Sequence, residues 1–515
     1  MKEHKKRIYL YITAIILVLI FIWGITKKPH KEETNTSANV STTETEKKRI
    51  DAVAYEMELW LDTSKNCLTE KVTIEIKNHT EKTVSELCIR DMTPEILKYC
   101  EENYSIDNKN LKTQIVSISP KNSEQALAYK FENNKSVLLI QLDDQNTIEP
   151  NETAFITIQM KTDIPNREDR FGYHETEKGK LYALSFCFPY LADNDNGEWI
   201  LDPFFDDGES RSSDLANYSV VFHAPDNYEV AISGNEKYEN GTIISTAENM
   251  RDFAIVACNF MKKETFEVKG IQINNYYLLG EHANEYKSIT KAVAEDSVSI
   301  FTEQIGNYPY NELDIVPCLF GFGYGGMEYP GLIMANASSY FDGPFRDAIS
   351  LEDKISHEIA HQWFYAAVGN REYQEGWLDE SFATLLERDI YGLADCDAHK
   401  VVKTFEPNYP GLKDKENVRA EIIEYARELY LDIHLNIPPN EYPEEQIYGT
   451  AEYEGGYAFL QELRLLLGND RFMDFLRDYY KEFYMKTITT DEFLDFVKKY
   501  DNSDKLNEIV KFYFK

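Results

Sequence analysis

From residue 50 to about 262, apolar and polar positions alternate with a period of two. Val72, Ile74 and Ile76 are separated by polar neighbours, as are Ala154, Ile156, Ile158 and Met160, and Tyr218, Val220 and Phe222. Successive side chains of a strand leave on opposite faces, so this alternation predicts strands with one buried face. Turn residues such as Pro225-Asp226-Asn227 and Gly234-Asn235 punctuate them, and helical spacing is scarce. Residues 50–262 are therefore expected to form an antiparallel β domain. The pattern changes over 263–284. Tyr286, Ile289, Val293 and Ile300 recur at helical spacing and stop near Gly306, and the apolar run Leu313 to Leu319 predicts a short strand. From 351 onward helical spacing predominates, with a Thr489-x-x-Glu492 capping box opening one helix. Residues 263–515 are expected to be mixed but mainly helical, which makes the chain a multi-domain α+β protein.

Ahead of both blocks, Ile8 to Ile25 runs for eighteen residues without a charge. At a rise of ~1.5 Å per residue it spans about 27 Å, close to the thickness of a bilayer core. It is longer than the core of a secretory signal, and no small-x-small cleavage site follows. Residues 1–28 are thus expected to be a cytoplasmic tip and one transmembrane helix. Lys2, Lys5, Lys6 and Arg7 favour leaving the N-terminus in the cytoplasm. The Thr-, Glu-, Ser- and Lys-rich residues 29–49 then read as a flexible linker. A single-pass protein of the cell membrane, with its folded part extracellular, is the expectation.

The length of 515 residues and 43% hydrophobic content supply real cores and rule out a mainly disordered protein. A net charge of −35 repels phosphate backbones, so nucleic acid is not an expected partner. Seven cysteines without a Cys-x-x-Cys pair argue against a thiolate metal site and a disulfide-dense scaffold.

The chemistry is concentrated in His357-Glu358-Ile359-Ala360-His361. Two histidines four apart share one helix face, close enough for both imidazoles to reach one tetrahedral ion. Ile355, Ile359 and Trp363 form an apolar stripe beside them, and Gly369 is expected to end the helix. Glu358, one step round, can hold a water at the metal without being a ligand. Glu380 follows His361 by 380 − 361 = 19 positions, within Trp377-Leu378-Asp379-Glu380. A second helix returning beside the first would bring its carboxylate to the same point. Three protein ligands and an open fourth position describe a catalytic zinc, one per chain. The bland alternative, two surface histidines on an amphipathic helix, leaves Glu380 unexplained.

H-E-x-x-H, eighteen residues, then Glu in a W-L-x-E context resembles the gluzincin zinc aminopeptidases related to aminopeptidase N. The resemblance implies a β N-terminal domain and a thermolysin-like catalytic domain, with His357, His361 and Glu380 as zinc ligands and Glu358 as the general base. Gly325-Gly326-Met327-Glu328-Tyr329 stands where the family has G-A-M-E-N. Glycines let a backbone edge approach an extended peptide, which can add to it as a strand. By resemblance, Glu328 meets the free α-amine. Gly326 replaces the family's Ala, an exchange expected to be harmless, and Tyr329 replaces its Asn. Tyr453-Glu454-Gly455-Gly456 opens an expected helix and resembles the family's Y-x-K-G element, with Gly455 in place of Lys; by that likeness Tyr453 donates to the oxyanion. The acidic stretch Asp193 to Asp195 with Glu198 reads as a solvated loop rather than a second amine-binding site.

The implied activity is hydrolysis of the N-terminal peptide bond of peptides by water activated at zinc. Only 515 − 380 = 135 residues follow Glu380, so the large helical C-terminal domain of many relatives is not expected, and a more open cleft is. An endopeptidase acting within longer peptides is one alternative; a catalytically silent binding relative is the other.

Overall fold

The computed structural model describes residues 48–103, 108–206, 214–239, 241–321, 325–341, 347–406, 415–429, 434–442 and 445–514. The expected anchor and nearly all of the linker lie outside them. Among the described residues no helix is long and apolar enough to cross a membrane.

The period-two segments form a seven-stranded sheet. Its order is Asn235–Glu239, Thr242–Met250, Ala216–His223, Ile50–Asp62, Cys67–Asn78, Thr153–Asp163, Thr113–Pro120. Val220, Met57, Val72, Ile158 and Ile118 are successive register partners across five of these strands, and all five are buried. A slip of one residue would turn this apolar row to solvent, which is what locks the register. One pair departs from the antiparallel expectation: Ile50–Asp62 and Ala216–His223 run parallel. The chain between them passes through other strands and the helix Thr93–Asn103, a crossover long enough for parallel pairing. Two four-stranded sheets and the two-stranded hairpin of Asn194–Asp195 with Glu198–Trp199 complete this β-rich part.

The mainly helical part begins with a five-stranded mixed sheet, ordered Met261–Val268, Ile271–Leu278, Glu312–Cys318, Leu332–Asn336, Gly326–Met327. The helix Ala283–Gln304 packs on it and on the helix Ala348–Ala360, which carries His357 and is followed at its C-cap by His361. Asp347 caps that second helix by accepting from the Ser350 N–H at 2.8 Å, a contact worth about 1 kcal/mol. Leu351, Ile355 and Ile359 form its buried stripe.

This helix stops at Ala360, nine residues before Gly369. Tyr365 adopts φ 126°, a strained conformation for a bulky residue, and the buried Arg251 donates to its carbonyl at 2.9 Å. Trp363 donates to the Gly306 carbonyl at 2.8 Å. These distant partners turn the chain early, and Gly369 instead pairs in a short parallel strand with Thr487.

The return helix Trp377–Leu385 is anchored by Trp377, fully buried among Phe459, Phe493 and Phe514, with its indole N–H on Thr490 Oγ1 at 3.0 Å. Burying one such aromatic contributes about 1.5–3 kcal/mol. Against it lies Gly456–Leu467. A Cβ on Gly456 would meet Ser381 Cβ at 2.5 Å, so glycine permits this close approach. Tyr453 does not open a helix, as its glycines suggested, but sits in a π-helical turn, Ala451–Gly455, running directly into Gly456–Leu467. Such a bulge adds a residue to a turn and redirects a side chain.

Candidate metal centre and cleft

The two helices bring three donors together. His357 Nε2 lies 3.1 Å from His361 Nε2 and 3.1 Å from Glu380 Oε2, and His361 Nε2 lies 3.4 Å from the same oxygen. Both rings are turned so that Nε2 faces inward. Glu387 Oε2 holds His357 Nδ1 at 3.0 Å, and the Phe364 carbonyl holds His361 Nδ1 at 3.1 Å. Such outer partners set tautomer and ring orientation in metal sites. Two imidazoles and one carboxylate, converging with their outer nitrogens satisfied, form a donor set suited to zinc.

The electrostatics agree. Burial opposes charge on His361, but Glu328 and Glu380 outweigh it and raise the imidazole to about 10. Burial likewise opposes charge on His357, yet Glu380 and Glu387 raise it well above its usual range. Glu380 is drawn well below the ordinary carboxylate range, its burial overcome by hydrogen bonds from both histidines. The pocket as a whole therefore favours positive charge at its centre.

Glu358 is buried beside the ligands. Burial and the neighbouring Glu328 and Glu380 push it up to about 8. Its carboxyl fills the space over Gly326: a Cβ there would meet Glu358 Oε1 at 2.4 Å. The exchange of Ala for Gly at 326, expected to be harmless, thus bears on where Glu358 rests. Gly326–Met327 is the outer strand of the five-stranded sheet, paired on one side only, with Gly326 opposite Ala335 and Met327 opposite Met334. Gly325 precedes it and accepts from the Asn336 N–H at 3.0 Å.

At the end of this edge Glu328 is buried, within 4.8 Å of His361 and Asp379 by ligand atoms. Burial and Glu380 raise it above its ordinary value against the pull of His361. Tyr329 turns away from the cleft; it is fully buried and donates to Ser185 Oγ at 2.5 Å. Tyr453 donates to Glu380 Oε1 at 2.5 Å and stacks on His357 with ring centres 5.7 Å apart. Tyr453 is 37% exposed, but desolvation around its hydroxyl in the cleft and the carboxylate of Glu380 keep its proton on well above the usual tyrosine range, so it remains a donor.

Sequence reasoning missed two supports. Glu387 follows Glu380 by seven residues, two helical turns, and that spacing was its available signal. Gln362, next to His361, donates to the carbonyls of Glu328 and Tyr329 at 3.3 and 3.2 Å and accepts from the Gly331 N–H at 2.8 Å. It ties the glycine-rich edge to the ligand helix, and nothing in its spacing announces this. In the acidic stretch read as a solvated loop, Asp195 and Glu198 are exposed as expected, but Asp193 departs from that reading. It is not in a solvated loop but pairs with Arg49 at 2.6 Å and faces Arg371 at 3.6 Å, with its side chain 10% exposed.

Residues 293–513 match the model of the Peptidase family M1 domain. The chain is 27% identical over 208 residues to leucine aminopeptidase 2 of Yarrowia lipolytica, covering 39% of this chain and 31% of that one. It is 28% identical over 214 residues to aminopeptidase B of Homo sapiens, covering 40% of this chain and 30% of that one. The chain thus spans about 30% of the length of these curated relatives. The crystal structure of the M1 zinc metallopeptidase from Deinococcus radiodurans shares the fold, with a TM-score of 0.62 at 17% identity over 90% of this chain and 94% of that one.

Proposed function

We propose, from the match of residues 293–513 to the Peptidase family M1 domain, that this chain is a zinc aminopeptidase of that family releasing the N-terminal residue of peptides. His357, His361 and Glu380 would hold the metal. Zinc there supplies a Lewis acid for the scissile carbonyl and acidifies water at the site. Glu358, buried beside the histidines, takes the proton of the attacking water and returns it to the leaving amine. Tyr453 donates to the oxygen that becomes negative in the tetrahedral intermediate. The peptide backbone adds along the edge Gly325, Gly326 and Met327 as a further strand.

The observation that carries the aminopeptidase reading over an endopeptidase is Glu328, a buried carboxylate at the end of that edge and beside His361. It would receive the α-ammonium group and register the chain so that only the first peptide bond reaches the metal. A hydrogen bond to a charged group is worth about 1.5–3 kcal/mol, or roughly ten- to hundredfold in rate. The zinc-loaded full chain should cleave free-amine peptides faster than their Nα-acetylated twins by that factor, and Glu328→Ala should erode the preference. Equal cleavage of both, with cuts inside the peptide, would replace this reading by the endopeptidase.

We read residues 50–262 and 263–515 as the two folded domains and Ile8 to Ile25 as an anchor that leaves both outside the cell. The uncharged run and the basic residues ahead of it support this. Deleting residues 1–28 should release an active protein from membranes; recovery of the full-length protein from cytosol would refute the anchor.

A further inference from the structure

A second group of acids lies apart from the zinc ligands, where the seven-stranded sheet meets the five-stranded one. Glu236 comes from the strand Asn235–Glu239 at the edge of the first sheet; Glu312 and Asp314 come from Glu312–Cys318 in the second. One ligand oxygen from each lies within 4.8 Å of the others. Asp314 is fully buried, and the Glu236 side chain is only 6% exposed.

The local partners do not satisfy this cluster. Asn274 is the register partner of Asp314 and donates from Nδ2 to Asp314 Oδ1 at 2.9 Å and to Glu312 Oε1 at 2.7 Å. Gln272 donates to Glu312 Oε2 at 2.8 Å. Lys263 reaches Glu236 Oε1 at 2.9 Å, and the Ile232 backbone N–H faces Asp314. Two oxygens, Asp314 Oδ2 and Glu236 Oε2, remain buried without a hydrogen-bond partner. Leaving such atoms unpaired costs about 1–3 kcal/mol each, more for charged groups. Three carboxyls also stand against a single ammonium. Burial, a hydrogen bond shared with Glu236 and repulsion from Asp314 push Glu312 up to about 10, and burial with repulsion from Glu236 pushes Asp314 up to about 8, the strain that a cation removes.

We propose that Glu236, Glu312 and Asp314 bind one hard divalent cation of the calcium class, fastening the β-rich part to the strand Glu312–Cys318. The donors are all carboxylate oxygens, which suit calcium or magnesium rather than zinc. Calcium–oxygen distances of about 2.3–2.6 Å allow the looser spacing of three such ligands. Glu312, partly exposed, and Lys263, with 23% of its side chain exposed, border the route to solvent. Glu312–Cys318 is parallel to Leu332–Asn336, the partner of the glycine-rich edge, so the cation would stiffen the frame of the cleft without touching it.

Terbium luminescence on the zinc-loaded full chain in detergent tests this directly, because Tyr276 lies 3.4 Å from Lys263 Nζ and can sensitise an ion held beside it. One saturable terbium site, excited through tyrosine and displaced by calcium, is expected. Glu312→Gln should weaken it at least tenfold with zinc content unchanged. Lys263→Gln, which removes the competing ammonium, should tighten it several-fold, and this second variant carries the test if Glu312→Gln does not fold. Non-saturating emission, a site indifferent to Glu312→Gln, or weaker binding in Lys263→Gln would overturn the proposal and leave a proton shared between Glu236 and Glu312 as the occupant.

Discussion

Replacing Glu387 by Ala removes the group that orients His357, a proposed metal ligand, while leaving every proposed ligand in place. Its Oε2 sits 3.0 Å from His357 Nδ1, and its side chain is only 15% exposed. A hydrogen bond to a charged or strongly polarised imidazole in such a place is worth about 1.5–3 kcal/mol. At ~1.4 kcal/mol per decade, that corresponds to zinc binding weaker by roughly ten- to hundredfold, the range that loss of an outer-shell partner produces. Collateral damage should be small. Arg388, the cation nearest Glu387, keeps its two-point contact with Glu454 at 2.9 and 2.8 Å. Glu387→Gln retains an acceptor and should lose less, at most about tenfold. The assay is competition for zinc against a chromophoric chelator, with circular dichroism to confirm the fold and activity measured at saturating zinc. Activity should return to within a few-fold of the parent when zinc is in excess. A Glu387→Ala protein that holds zinc as tightly as the parent would refute the orienting role.

Glu358→Gln should keep zinc and fold but lose ~10²-fold or more in turnover, whereas Tyr453→Phe should lower kcat more than it changes KM; full activity in either removes that residue from the mechanism. Gly456→Ala forces a Cβ to 2.5 Å from Ser381 Cβ. Thermal and chemical denaturation should show about 1–3 kcal/mol of overpacking cost, with turnover falling because Tyr453 sits in the π-helical turn that runs directly into this helix; unchanged stability and turnover would show the contact to be slack. His399 gives a pH dependence remote from the cleft. Burial alone would lower it, but hydrogen bonds to Cys396 and to Glu352 (2.7 Å) carry it from 6.5 up to about 10. Because its folded-state value is raised, this stabilisation is complete below pH 6.5 and fades as pH rises towards about 10. The stability difference between parent and His399→Gln should shrink across that window; a constant difference would refute it.

Local rules determined what the sequence could determine by itself. The rows Val72-Ile74-Ile76 and Ala154-Ile156-Ile158-Met160 specified buried strand faces because side-chain alternation is a property of the backbone alone. His357 and His361 were bound to share a face because four residues nearly complete a helical turn. Glu380 and Glu328 were legible through motif spacing, since each lies within a short stretch whose neighbours constrain it.

Contacts between segments remote in sequence decided the rest. The ligand helix ends at Ala360 and not at Gly369 because Arg251, 114 positions before Tyr365, captures the Tyr365 carbonyl. Asp193 is held because Arg49, 144 positions earlier, lies beside it. Gln362 supports the Glu328 edge across 34 positions, and the acids Glu236, Glu312 and Asp314 meet only because two sheets pack together. A hydrogen bond or ion pair of this kind depends on where the folded backbone places two groups, and no period or local propensity encodes that separation. The proposed metal ligands could be read from the chain because their spacing is local to two helices. What orients and supports them could not, because it is built by packing.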